Sequence, residues 1–255
     1  MRERIYIATF ANEAIETIAL NNLNIEFNHL CISANLDDEN IDNTLIQMNR
    51  DWEKCKKCKA IIHGPFTELS PDSMDPKVVD LTYTRLEQAY AVSKKMGVKK
   101  MVVHSGYMPF LYFKEWHIER SVDFWRDFIK DKPEDFNLAI ENVFEDEPFL
   151  MRELIEKIGD KRVKACLDVG HANVFIKDKL NVIDWIETLG PYISHIHMHN
   201  NDGNKDLHNS IDNGSMNIGD IFYGIEKNCS RDTTITIESM DCKSSILWMK
   251  NNNII

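Results

Sequence analysis

The chain has 255 residues, close to the size of one eight-stranded β/α barrel, and its 43% apolar and 28% charged content is ordinary for a soluble domain with a sizeable core. A formal net charge of −11 repels phosphate backbones and argues against nucleic acid as a partner. No apolar run reaches the roughly 18 residues of a membrane helix. The opening MRERIYIATF lacks an apolar stretch of signal-peptide length, so a cytoplasmic protein with no membrane partner is expected.

In chain order, strand-like apolar runs fall at 4–9, 24–29, 59–63, 100–104, 137–141, 163–168, 192–198 and 233–238. Helical patterns lie between them near 11–21, 40–57, 76–97, 115–130, 148–158, 181–188 and 217–227, with a last one at 242–250. Gly64-Pro65, Gly106, Gly170, Gly190-Pro191, Gly203 and Gly214 punctuate the turns. Eight strands, each followed by a helix, predict a parallel (β/α)₈ TIM barrel, α/β in class, with residues 1–255 forming one domain. The six scattered cysteines suit a reducing compartment, and Cys55-Lys-Lys-Cys58 reads as a chance spacing late in a polar helix. The densest basic pairs, Lys94-Lys95 and Lys99-Lys100, precede the fourth strand and belong to the opposite end of the barrel from strand C-termini.

Those C-termini carry the chemistry. Six strands end in a metal-capable residue: His63, His104, Glu141, Asp168, His197 and Glu238. His171, Asp206 and His208 follow closely behind two of them. His, Asp and Glu bind Zn²⁺, Mn²⁺ or Mg²⁺ through nitrogen and oxygen. Each residue has a plainer reading: Asp168 as a helix N-cap, a histidine as a hydrogen-bonded core residue. Glu141 and Glu238 resist it, because a carboxylate after an apolar strand is costly to bury without a cationic partner. Period two puts His195, His197 and His199 on one face of a strand. One ligand at the end of each successive strand predicts a metal site on the C-terminal rim of the barrel.

The segments His63-Gly-Pro, Val103-His-Ser-Gly, Ile140-Glu-Asn, Leu167-Asp-Val-Gly-His, His197-Met-His-Asn-Asn-Asp-Gly, Asp206-Leu-His and Ile237-Glu-Ser span nearly the whole chain. In them the protein resembles the xylose isomerase-like TIM-barrel superfamily, which includes sugar isomerases, sugar epimerases and endonuclease IV. The resemblance implies three ligand sets. His63, His104 and Glu141 form one; Glu141, Asp168, His197 and Glu238 a second; His171, Asp206 and His208 a third. Either His197 or His199 fits the family's pattern in the seventh strand, and His197 aligns without a gap. The chain departs from endonuclease IV in Asn-Val-Phe-Glu after Glu141 and in Met216, which replaces a loop glycine. It departs from the sugar epimerases in having no arginine after the seventh-strand histidine.

The expected activity is therefore isomerisation or epimerisation of a sugar, sugar phosphate or polyol. One to three divalent ions, zinc or manganese, would serve as cofactor, with Lewis-acid stabilisation of an enediolate. Glu141 and Glu238 are the expected proton carriers, and His63, His104 and His171 the expected contacts to substrate oxygens. The alternative is zinc-dependent phosphodiester cleavage at abasic sites in DNA, for which all nine ligand positions are filled.

Overall fold

The computed structural model describes residues 1–176 and 180–255. Its strands are β1 (Ile5–Ala8), β2 (Asn24–Phe27), β3 (Ala60–His63), β4 (Lys100–His104), β5 (Asn137–Glu141), β6 (Val163–Asp168), β7 (Ile193–Met198) and β8 (Thr234–Ile237). All pair in parallel, in sequence order, and β1 closes on β8 with Ile5 opposite Ile235 and Ile7 opposite Ile237. The helices are α1 (Ala14–Asn21), α2 (Ile41–Lys54), α3 (Pro76–Met96), α4 (Lys114–Ile129), α5 (Pro148–Ile158), α6 (Val169–Phe175), α7 (Val182–Leu189), α8 (Ile218–Asn228) and α9 (Cys242–Asn251). The chain is a (β/α)₈ TIM barrel, and each predicted strand and helix is present with its ends moved by up to three residues.

Local chemistry sets those ends. At the start of α3, Asp75 accepts from Lys77 N at 2.9 Å and Pro76 occupies the first turn, where no N–H is needed. Gly97, at φ 72°, stops the same helix in the left-handed region that a side chain disfavours. The strands are buried on both faces, so they read as apolar runs rather than alternating ones. Outward residues such as Ile7, Ile25, Val103, Leu138 and Ile237 join the helices in one core, around the fully buried Trp125, Trp185 and Phe128. Inside the barrel, Tyr6, Ile61, Val102, Ala139 and Cys166 form a separate small cluster.

Two local readings are corrected. Cys55-Lys-Lys-Cys58 follows α2 instead of lying on its face: Lys56 and Lys57 take φ 56° and 51°, which unwinds the chain there. Lys100 lies at the expected end of the barrel but turns inward, its Nζ donating to Ser194 O at 2.9 Å and Thr234 Oγ1 at 3.0 Å. Burial pushes its ammonium down to about 8.

One irregularity matters for the site. Ala165 pairs with Ile193 but Cys166 pairs with His195, so Ser194 is an extra residue in β7. Ile193 and Ile196 both pack in the outer core, three residues apart. The bulge reverses the strand's alternation, and this turns His195, His197 and His199 into the barrel.

Candidate metal centre

The C-terminal ends of β3 to β8 converge on Glu141 and His197. Glu141 Oε2 stands 3.1 Å from His63 Nε2 and 3.5 Å from His104 Nε2, while its Oε1 stands 3.2 Å from His197 Nδ1 and 3.5 Å from His171 Nδ1. His197 Nδ1 is also 3.3 Å from Glu238 Oε2 and 3.9 Å from Asp168 Oδ2. Glu141, Asp168, His197 and Glu238 thus each bring one donor atom within 4.8 Å of the others. The carboxylates are 1%, 0% and 4% exposed for Glu141, Asp168 and Glu238, so three negative groups surround one imidazole out of water.

The donor set fits a divalent ion. His197 Nδ1 and Asp168 Oδ2 are buried without an aligned hydrogen bond, although carboxylate oxygens lie 3.2–3.9 Å from that nitrogen. Such spacing suits donors that share one ion rather than pairing directly. Ligands about 2.1 Å from a tetrahedral ion lie about 3.4 Å from one another.

Asp168 is both N-cap and cage member. Its Oδ1 accepts from His171 N at 2.6 Å and begins α6, while Oδ2 points into the cage. Asn142 clamps the strand end: its Oδ1 accepts from Asp168 N at 2.9 Å and its Nδ2 donates to Asp168 O at 3.0 Å. α6 carries His171 over the centre, and His171 Nε2 reaches Asp206 Oδ2 at 3.4 Å. Asp206 Oδ2 is 3.1 Å from His208 Nε2 as well, so the structure brings His171, Asp206 and His208 together. His63, His104 and Glu141 likewise bring their donor atoms within 4.8 Å of one another.

Charge and burial compete at each histidine. Burial alone would lower His171, but Asp168 and Asp206 bring it up to about 10. Burial opposes and Asp206 drives the rise of His208 to about 9. His104, stacked on Phe66 at 4.0 Å between ring centroids, is pushed by burial down to about 3. Burial would raise Glu141, yet His197 and His104 hold it well below the usual carboxylate range. Burial raises Glu238.

Two features escaped the sequence reading. His199, weighed there as a rival to His197, faces the neighbouring cluster instead: its Nε2 lies 3.2 Å from Asp168 Oδ1 and 3.6 Å from Asp206 Oδ1, and its ring stacks on His208 at 3.9 Å. Gly170 makes room for it, since a Cβ there would fall 1.9 Å from His199 Cε1. The second is Glu26 on β2, fully buried beneath His197. Its Oε1 is 3.1 Å from His197 Nε2, and its Oε2 accepts from Thr236 Oγ1 at 2.5 Å and contacts His195 Nε2 at 2.9 Å. Its signal was a lone carboxylate inside the apolar run Asn24-Ile-Glu-Phe27. Cys166 borders the same layer, but burial pushes its thiol up to about 12 and keeps it protonated.

Residues 21–251 match the family described as xylose isomerase-like TIM barrel. The chain belongs to this family. Two uncharacterised proteins of Methanocaldococcus jannaschii are each 27% identical to it. One aligns over 201 residues, 74% of this chain and 67% of its own, and the other over 193 residues, 72% and 73%. A solved D-tagatose 3-epimerase-like protein superposes with TM-score 0.76 at 21% identity, covering 99% of this chain and 100% of that one. A Thermus thermophilus protein soaked with zinc chloride gives TM-score 0.74 at 23% identity, covering 97% of each chain. A D-psicose 3-epimerase with D-fructose gives TM-score 0.70 at 16% identity, covering 91% of this chain and 84% of its own. At these identities the superpositions speak for the fold.

Proposed function

We propose that the protein is a divalent-metal-dependent sugar isomerase or epimerase. The observation that carries this reading is the cage of Glu141, Asp168, His197 and Glu238, buried at the C-terminal mouth of the barrel. These four residues would hold zinc or manganese. When bound, the cation supplies Lewis-acid polarisation of substrate oxygens. Glu141 accepts a proton from the carbon beside the substrate carbonyl, and Glu238 delivers one from the opposite side. His63, His104 and His171 line the same floor and orient substrate oxygens by hydrogen bonding. Asp168 and His197 stay with the ion. The sugar epimerases among the solved structures of this fold support the assignment.

The test is carbon-bound hydrogen exchange. Manganese-loaded protein in D₂O, offered ketoses both free and as aryl or alkyl conjugates, is expected to place deuterium on a carbon adjacent to the carbonyl. Glu141→Gln, which removes the base that takes the carbon-bound proton, is expected to abolish it. Absence of exchange across the panel would refute the reading.

The cluster of His171, Asp206 and His208 favours a second reading, zinc-dependent cleavage of abasic DNA, because multi-ion clamps suit displacement at phosphorus. Metal-dependent nicking of an abasic duplex, lost in Glu238→Gln, would establish it over the first.

A further inference from the structure

Above its floor of carboxylates and imidazoles, the barrel mouth is walled by apolar side chains. The cavity holds about 640 Å³, and its wall includes Phe10, Ile32, Phe66, Phe144 and Leu207, from five loops, and Phe175, at the end of α6. Several stand open to solvent, with Ile32 63% and Phe144 42% exposed. Aromatic contacts set the wall directly on the floor. Phe66 stacks on His104, Phe10 meets His208 edge-on at 5.7 Å, and Phe144 meets Phe175 edge-on at 5.1 Å. No lysine or arginine lines the cavity among the described residues.

We infer that the substrate joins an oxygen-bearing, metal-chelating head to an uncharged apolar body, such as an aryl or alkyl group carried by a sugar. This rests on the metal-centre reading above. The chemistry of the wall decides against the two other forms. A free polyol filling the cavity would bury its distal hydroxyls against phenylalanine and leucine, and each unpaired hydroxyl costs free energy. The wall offers few polar groups in return; Asn28 is one, and its Oδ1 already accepts from Thr9 N at 2.9 Å. A phosphorylated sugar would bring a dianion to a cavity lined by Glu141, Asp206 and Glu238, with no lysine or arginine among the described residues to meet it. An apolar body loses nothing to either shortage and gains burial.

Hydroxamates chelate a divalent ion through two oxygens and serve as probes of head and body separately. Acetohydroxamate, benzohydroxamate and phosphoglycolohydroxamate are titrated calorimetrically into zinc-loaded protein. Benzohydroxamate is expected to bind at least about tenfold more tightly than acetohydroxamate, a difference of about 1.4 kcal/mol. Phosphoglycolohydroxamate is expected to bind no more tightly than acetohydroxamate. Phe144→Ala should shrink the benzohydroxamate advantage. Equal affinities for the phenyl and methyl probes, or a preference for the phosphate-bearing one, would overturn the inference and leave the metal centre standing. Failure of all three to bind would remove both.

Discussion

Glu26→Gln isolates the support beneath the metal centre. The carboxylate is 0% exposed and faces three groups: His197 Nε2 at 3.1 Å, His195 Nε2 at 2.9 Å and Thr236 Oγ1 at 2.5 Å. His195 is itself fixed from behind, with Nδ1 2.6 Å from Thr234 Oγ1. Since His197 Nδ1 faces the cage, Nε2 must carry the proton when Nδ1 holds an ion; Glu26 Oε1, 3.1 Å away though not aligned for a hydrogen bond in this structure, is the carboxylate placed to accept it. A carboxamide keeps one acceptor oxygen and turns an NH₂ toward either His197 or the His195–Thr236 pair. A hydrogen bond to a charged group contributes about 1.5–3 kcal/mol, and about 1.4 kcal/mol is a factor of ten. The substitution should therefore weaken zinc binding about 10- to 100-fold. Chelator-stripped protein titrated against a chromophoric zinc chelator reads the affinity, and thermal unfolding checks the fold. A dissociation constant within about threefold of the parent's, in a folded variant, would refute the argument.

Glu238→Gln should lower turnover by about 10²–10⁴-fold, the range for loss of a general acid–base group, measured as initial rate at saturating manganese. His171 and His208 are raised to about 10 and 9, above the unperturbed value of about 6.5. Their protonated forms stabilise the metal-free fold fully below about pH 6.5, and that contribution is lost as pH rises through 9 and 10. The melting temperature of chelator-stripped protein should accordingly fall from pH 7 to pH 10. Zinc binding at pH 7 should release protons, seen as a buffer-dependent heat in calorimetry; a heat independent of buffer would count against this. Gly170→Ala forces a methyl onto the His199 ring, and overpacking of about 1–3 kcal/mol lowers Tm by roughly 2–12 °C in calorimetry.

The barrel was legible because most strands are short, largely apolar runs with polar residues or turn formers at their ends, and helices α3 and α5 announce themselves with Pro76 and Pro148. The six strand-end candidates were legible because polar residues at the ends of apolar strands have no cheap burial. The short helix α6 was not, since seven residues leave little periodicity, and Asp168 serves two purposes that sequence presents as alternatives. The division of labour between His197 and His199 was also hidden: both face inward, and the carboxylates that separate them, Glu26, Glu141 and Glu238 beside His197 and Asp206 beside His199, come from other parts of the chain. Glu26 went unread because its partners come from β7 and β8, far along the chain.

The proposed activity requires an ion held by Glu141, Asp168, His197 and Glu238. Anomalous diffraction at the zinc and manganese edges, from crystals of metal-loaded protein, tests this most directly. A peak about 2.0–2.2 Å from donor atoms of all four residues is the predicted result. An empty cage in loaded crystals, with anomalous scatterers bound elsewhere or nowhere, would contradict it.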